Sequence, residues 1–169
     1  MGRFRATGGG VRAAFDEAEV LLLRQLLHEL LELLDDGDEP ADDPLADALG
    51  IGTSTSAPDD PVLARLFPDA YRDDPEAAAD FRRYTERGLR QTKRANAARA
   101  LASLAGPRDL DGDDARAWLA ALNDMRLALG TGLGVTEDMD PPLDDPRFAV
   151  YDYLTWLQET LVQALTARS

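Results

Sequence analysis

Apolar positions along the chain recur with two periods. "RFRATGGGVRAAF", residues 3 to 15, alternates over two short runs joined by Gly8, Gly9 and Gly10. Glycines supply the backbone angles that a tight hairpin turn demands, so this stretch predicts an N-terminal β-hairpin. From Asp16 the period lengthens to that of a helix. Asp16 and Glu19 form a capping box. Beyond them Leu23, Leu26, Leu27, Leu30, Leu31 and Leu34 share one face that Leu22 and Leu33 widen. A face this broad predicts a central helix, or one packed on more than one neighbour, with room for a homodimer contact.

Residues 35 to 60, "DDGDEPADDPLADALGIGTSTSAPDD", carry acids, glycines and prolines but few large apolar groups. This composition predicts a flexible acidic linker with one helical turn near Leu45 to Leu49. Beyond it, Asp-Pro pairs mark helix starts, because Asp accepts from orphan backbone donors and the following Pro has no donor to lose. Asp60-Pro61 opens a short helix through Phe67. Asp74-Pro75 opens a long one to about Leu104, which if unbroken runs roughly 40 Å at 1.5 Å per residue, with Gly88 as a bend point. Asp113 or Asp114 is expected to cap the next, where Ala115, Trp118, Leu119, Leu122 and Leu129 recur at helical spacing. Asp145-Pro146 starts the last, in which Phe148, Tyr151, Leu154, Leu157, Leu161, Val162 and Leu165 are expected to face inward. The fold class is mainly α: a hairpin followed by a bundle of about four to five helices in a single domain, residues 1 to 169.

"LALGTGLGVTEDMD" places Gly130, Gly132 and Gly134 beside a run of acids. A phosphate-binding loop needs a helix N-terminus after its glycines. Here the helix comes before them and Glu137, Asp138 and Asp140 come after, so a phosphate would meet carbonyls and repulsion. The spacing also lacks the lysine of a P-loop and the third interval of a dinucleotide fingerprint. The expected role is a helix C-cap at Gly130 followed by a tight turn.

Composition removes several kinds of chemistry. With no cysteine among 169 residues, the chain has no disulfide, thiolate metal site, cysteine nucleophile or thiol redox switch. Asp109, Asp111 and Asp113 resemble the front of a calcium loop, but glycine falls at the fourth place and Ala120 at the twelfth, where a bidentate glutamate is required. His28, the one histidine, has no partner set for zinc or for a triad. No serine sits in a nucleophile elbow. No metal, cofactor or catalytic residue is assigned, and the chain is read as non-enzymatic. No basic-then-apolar leader opens it and no apolar run approaches the roughly 20 residues of a membrane span, so the expected location is the cytoplasm.

The net charge of -14 disfavours broad attraction to nucleic acid or anionic lipid. Its distribution is uneven, however: seven basic residues and one acid fall between Arg82 and Arg99. On a helix Arg83, Arg87, Arg90 and Arg94 form one basic stripe, with Phe81, Tyr84, Gly88, Ala95 and Ala98 turned toward the core. The stripe is the expected partner-binding surface. An acidic protein surface fits it first and nucleic-acid phosphates second, and internal pairing with the protein's own acids is the alternative.

Several strings carry a family resemblance: "WLAALNDMRLALGTGLGVTEDMD", "YDYLTWLQETLVQAL", "DPEAAADFRRYTERGLRQTKRANAARAL" and the glycine-centred opening. Together they resemble the actinobacterial AosR-like family, formerly a domain of unknown function, across nearly the whole chain outside the linker. The resemblance implies a mainly helical regulator of transcription in the oxidative stress response, working with a sigma factor, whose gene commonly neighbours that of the ClpS protease adaptor. Direct DNA binding and an accessory role in ClpS-dependent proteolysis are the alternatives it leaves open. Where members of that family respond to oxidant through cysteine pairs, this sequence departs from them, which leaves Met125 or Met139 as the oxidisable groups.

Overall fold

The N-terminal alternation folds as a hairpin in the computed structural model, which describes residues 2–35, 44–49, 58–105, 107–135 and 144–167. Strand β1 (Arg3–Thr7) pairs antiparallel with β2 (Gly10–Ala14), placing Thr7 opposite Gly10 and Arg5 opposite Arg12. A third strand, β3 (Arg108–Leu110), was not expected from the sequence. It adds to the other edge of β2, giving the order β1-β2-β3. Its close approach requires glycine at position 10, where any Cβ would collide with the Leu110 carbonyl.

Six helical segments follow among the described residues. Helix α1 (Glu17–Asp35) begins with the capping box, Glu19 N donating to Asp16 Oδ1 at 2.8 Å and Asp16 N to Glu19 Oε2 at 2.9 Å. The other oxygen of Glu19 accepts from Gly2 N, tying the hairpin to the helix start. Within the stretch expected as a linker, α2 (Pro44–Ala48) is a single short helix; residues 36–43 and 50–57, and the acids of 136–143 with Met139, lie outside the described residues. Asp60, Asp74 and Asp145 cap α3 (Pro61–Leu66), α4 (Pro75–Ala102) and α6 (Pro146–Thr166), each followed by its proline.

Helix α5 (Gly112–Leu133) departs from expectation at both ends. Its cap is Asp111, whose side chain accepts from Asp114 N; Asp113 and Asp114 sit inside the first turn. It also runs through Gly130 and ends at Gly134, which takes the left-handed conformation at φ 69°. There Gly134 N donates to Thr131 O and Val135 N to Gly130 O, the paired bonds of a Schellman motif. The glycine pattern is thus a helix end, but Gly130 serves packing instead. A Cβ there would press on the Tyr151 ring at 3.0 Å, so the missing side chain lets α6 approach closely.

Helix α5 is the central rod, packing against α6, α4, α3 and α1. Leu23, Leu27, Leu30 and Leu34 of α1 are buried against this core, with Leu26, Leu31 and Leu33 partly buried around them. On α6, Phe148, Leu154, Leu157 and Leu161 face inward as expected, whereas Val162 is exposed. Trp118 is wholly enclosed, its ring 5.5 Å from Phe4 and 5.6 Å from Phe15. Its indole N–H donates to Ser103 Oγ at 2.6 Å, and that hydroxyl donates to Ala100 O, so the buried polar atoms are satisfied.

Candidate interaction surface

Helix α4 holds the charged cluster singled out in the sequence, and its orientation overturns part of that expectation. Phe81 and Tyr84 are not in the core: they are 46% and 60% exposed, and Gly88, Ala95 and Ala98 are exposed with them. The buried positions are Ala78, Arg82, Arg90, Ala97 and Ala100. The helix is turned half a revolution from the orientation its apolar side chains suggest. Small alanines allow close approach to α5 and α1, and the charged residues between them are neutralised internally.

That neutralisation runs along one line of the helix. Arg82 donates to Phe67 O at 2.9 Å, to Asp69 Oδ1 at 2.8 Å and to Glu86 Oε2 at 3.3 Å. Further along the helix, Arg90 donates to Leu34 O at 3.0 Å, pairs with Glu86 Oε1 at 3.8 Å, and lays its guanidinium over the Phe67 ring at 4.8 Å. Leu34 and Phe67 lie at the C-terminal ends of α1 and α3, where unpaired carbonyls and the negative end of the helix dipole favour a cation. Arg82 and Arg90 therefore cap two other helices, and Glu86 between them balances part of their charge.

The four residues Arg83, Arg87, Arg90 and Arg94, expected as one exposed stripe, are not brought together as one surface. Arg90 is only 7% exposed and is committed to α1, to Glu86 and to Phe67. Arg94 pairs with Asp35 at 2.9 Å. Arg83 and Arg87 are half-buried, Arg83 lying over the Tyr84 ring at 5.8 Å. What α4 presents outward is a mixed patch. Phe81 and Tyr84 stand exposed with Leu89, and Tyr71 packs edge-on against Phe81 at 6.0 Å.

A second buried ion pair was missed by sequence reasoning. Lys93 Nζ, from the chain's one lysine, meets Asp124 Oδ1 of α5 at 2.7 Å, and Asp124 is 2% exposed. Burial pushes the Asp124 carboxyl above the usual carboxylate range, against the opposing pull of Lys93. The partners are 31 residues apart, and only the three-dimensional packing of α4 on α5 joins them.

Elsewhere the acids that resemble a calcium loop are engaged in structure. Asp109 pairs with Arg12 at 2.8 Å across the sheet, Asp111 caps α5, and Asp113 pairs with Arg116. Their arginine partners hold Asp109 and Asp113 below the ordinary carboxylate range. No cluster of three or more metal-ligating side chains occurs among the described residues. His28 is exposed. Met125 is 3% exposed, at the wall of a groove between α1 and α5. Among the described residues, no helix is long and apolar enough to cross a membrane.

These features define a mainly α domain with an N-terminal sheet, whose longest helix turns charge inward and aromatic rings outward. The chain belongs to the family described as Domain of unknown function (DUF2017), whose model matches residues 1–165. It is similar to proteins named "Oxidative stress regulator AosR" from Mycobacterium bovis and Mycobacterium tuberculosis, at 37% identity over 94% of this chain and 83% of theirs. A Mycobacterium leprae protein named "Putative oxidative stress regulator AosR" is 36% identical over 96% of this chain and 85% of its own length. No solved structure matches the chain.

Proposed function

We propose that this protein is a regulator in the oxidative stress response that works by protein–protein contact, with a component of the transcription machinery such as a sigma factor as its partner, and that it catalyses no reaction. The observation that carries this reading is the outward face of α4, where Phe81, Tyr84 and Leu89 are exposed beside the half-buried Arg83, with Tyr71 of the preceding loop packed on Phe81. Aromatic and arginine side chains are the types enriched at the energetic centres of protein interfaces. Exposed rings cost solvation that a partner would recover, and the half-buried Arg83 beside them adds positive charge that suits acidic groups. The names of the mycobacterial relatives support the stress-regulatory setting.

Thiol chemistry plays no part in this reading, since the 169 residues contain no cysteine. The role assigned to the described part of the chain is binding rather than thiol-based sensing. The test is affinity capture from the native cell with the wild-type chain and with a Phe81→Ala/Tyr84→Ala variant, followed by binding measurements on the purified captured protein. The reading expects a transcription component that the wild type retains and the variant loses. Equal capture by both, or capture of no such component by the wild type, rejects it.

A further inference from the structure

The hairpin offers a second surface, unrelated to α4. With Thr7 opposite Gly10, the residues of β1 that exchange main-chain bonds with β2 are Arg3, Arg5 and Thr7, so the main-chain groups of Phe4 and Ala6 point to the outer edge. Phe4 N donates to Thr160 Oγ1 of α6 at 3.3 Å, in agreement with that direction. The outward N–H and C=O of Ala6 have no hydrogen-bond partner among the described residues. Beside this edge lies a groove of about 410 Å³ between β1 and α6, with Trp156, Thr160 and Gln163 on its helical wall. The small, exposed Ala6 keeps it open.

Charge selects what could enter. Arg3 and Arg5 are exposed on the sheet face opposite Phe4 and have no acidic partner among the described residues. Arg5 stands directly across from Arg12, a like-charge juxtaposition that costs stability, and the strand acid on this face, Asp109, is taken by Arg12. Charged side chains on an edge strand ordinarily keep other strands away. A strand bearing carboxylates is the kind these arginines admit.

We propose that the edge of β1 at Ala6, beyond the point where Thr160 of α6 takes the outward N–H of Phe4, binds an extended acidic peptide segment of a partner protein in β-strand conformation, its alternate side chains placing carboxylates on Arg3 and Arg5 and apolar groups in the groove against Trp156. Main-chain bonds to Ala6 supply affinity, and the arginines supply selectivity. A nucleic-acid strand fits less well, because it cannot use the Ala6 donor and acceptor as a ladder and would meet a chain of net charge -14.

The test is an NMR titration of the isotope-labelled full chain with a capped heptapeptide alternating glutamate and valine. The expected result is saturable shift changes centred on residues 3 to 7 and the Trp156 indole, absent with the lysine counterpart. Reversing both charges, Arg3→Glu with Arg5→Glu, is expected to weaken binding by about five- to tenfold. Ala6→Pro, which removes the outward donor while leaving the β2 ladder intact, should also weaken it. Phe81→Ala should leave it unchanged, which separates this surface from the α4 face. Absence of saturation, shifts centred elsewhere, undiminished binding by the charge-reversed chain, or a DNA duplex displacing the peptide from the same residues would each overturn the proposal.

Discussion

Helices α1 and α4 bury one face each against the same core by opposite means. Helix α1 buries leucines, and its pattern of large apolar residues points to the side that packs. Helix α4 buries alanines with Arg82 and Arg90, whose charges are met by Glu86, Asp69 and two helix-end carbonyls, and it leaves Phe81 and Tyr84 in solvent. Hydrophobic periodicity is a reliable guide to orientation when burial is driven by apolar area. It reverses where a helix is fixed by ionic groups capping its neighbours, because those groups read as a solvated face. The apolar residues displaced outward by that arrangement are then the ones available to a partner.

The contrast can be broken most severely at Glu86. Its replacement by alanine leaves two buried guanidiniums short of countercharge, and a loss of about 3–5 kcal/mol in unfolding free energy is expected by urea denaturation. Leu27→Ala makes the matching cut in α1, where the side chain is fully enclosed, and should cost about 3 kcal/mol through lost burial and the cavity left behind. Phe81→Ala sharpens the contrast from the other side. A ring removed from the solvent face of α4 should change stability by no more than about 0.5 kcal/mol in the same assay, although a core aromatic would cost several.

The smallest effects are in pH dependence, and they have opposite signs for buried and exposed acids. Asp124 has its carboxyl raised in the folded state, so the fold binds more protons than the unfolded chain just above the ordinary carboxylate range. Stability is therefore expected to fall as pH rises through that window, and Asp124→Asn should flatten the slope. Asp109, Asp113 and Asp145 are lowered by their arginine partners. Their contribution is present above the unfolded value and is lost as pH falls through the folded one. Each is paired with an exposed arginine, so they should move an acid-unfolding midpoint only slightly.

Much of the architecture was legible in residue chemistry. The hairpin followed from alternation, although none of Gly8, Gly9 and Gly10 takes the positive φ expected of its turn, and the starts of α3, α4 and α6 followed from Asp-Pro pairs whose side chains do accept from the first-turn amides. Strand β3 was not, because Arg108-Asp109-Leu110 is too short to show a period and is held by pairing with a strand nearly a hundred residues earlier. Residue pattern places the C-cap of α5 at Gly130, whereas Gly134 fills it; three glycines two apart leave the choice to how closely Tyr151 approaches. At the basic stripe, packing follows the alternative of internal pairing for Arg90 and Arg94. A helical wheel shows which side chains share a face, but the carbonyls of Leu34 and Phe67 that draw Arg90 and Arg82 inward appear only once α1 and α3 are packed beside α4.

The orientation of α4 is the central claim, and hydroxyl-radical footprinting of the full chain read by mass spectrometry tests it most directly. Phe81 and Tyr84 are expected to be oxidised at rates typical of exposed rings while Trp118 remains protected. Protection of Phe81 and Tyr84 at the level of Trp118 in the isolated protein would mean that the helix buries its aromatic face after all, and the account given for its arginines would fail.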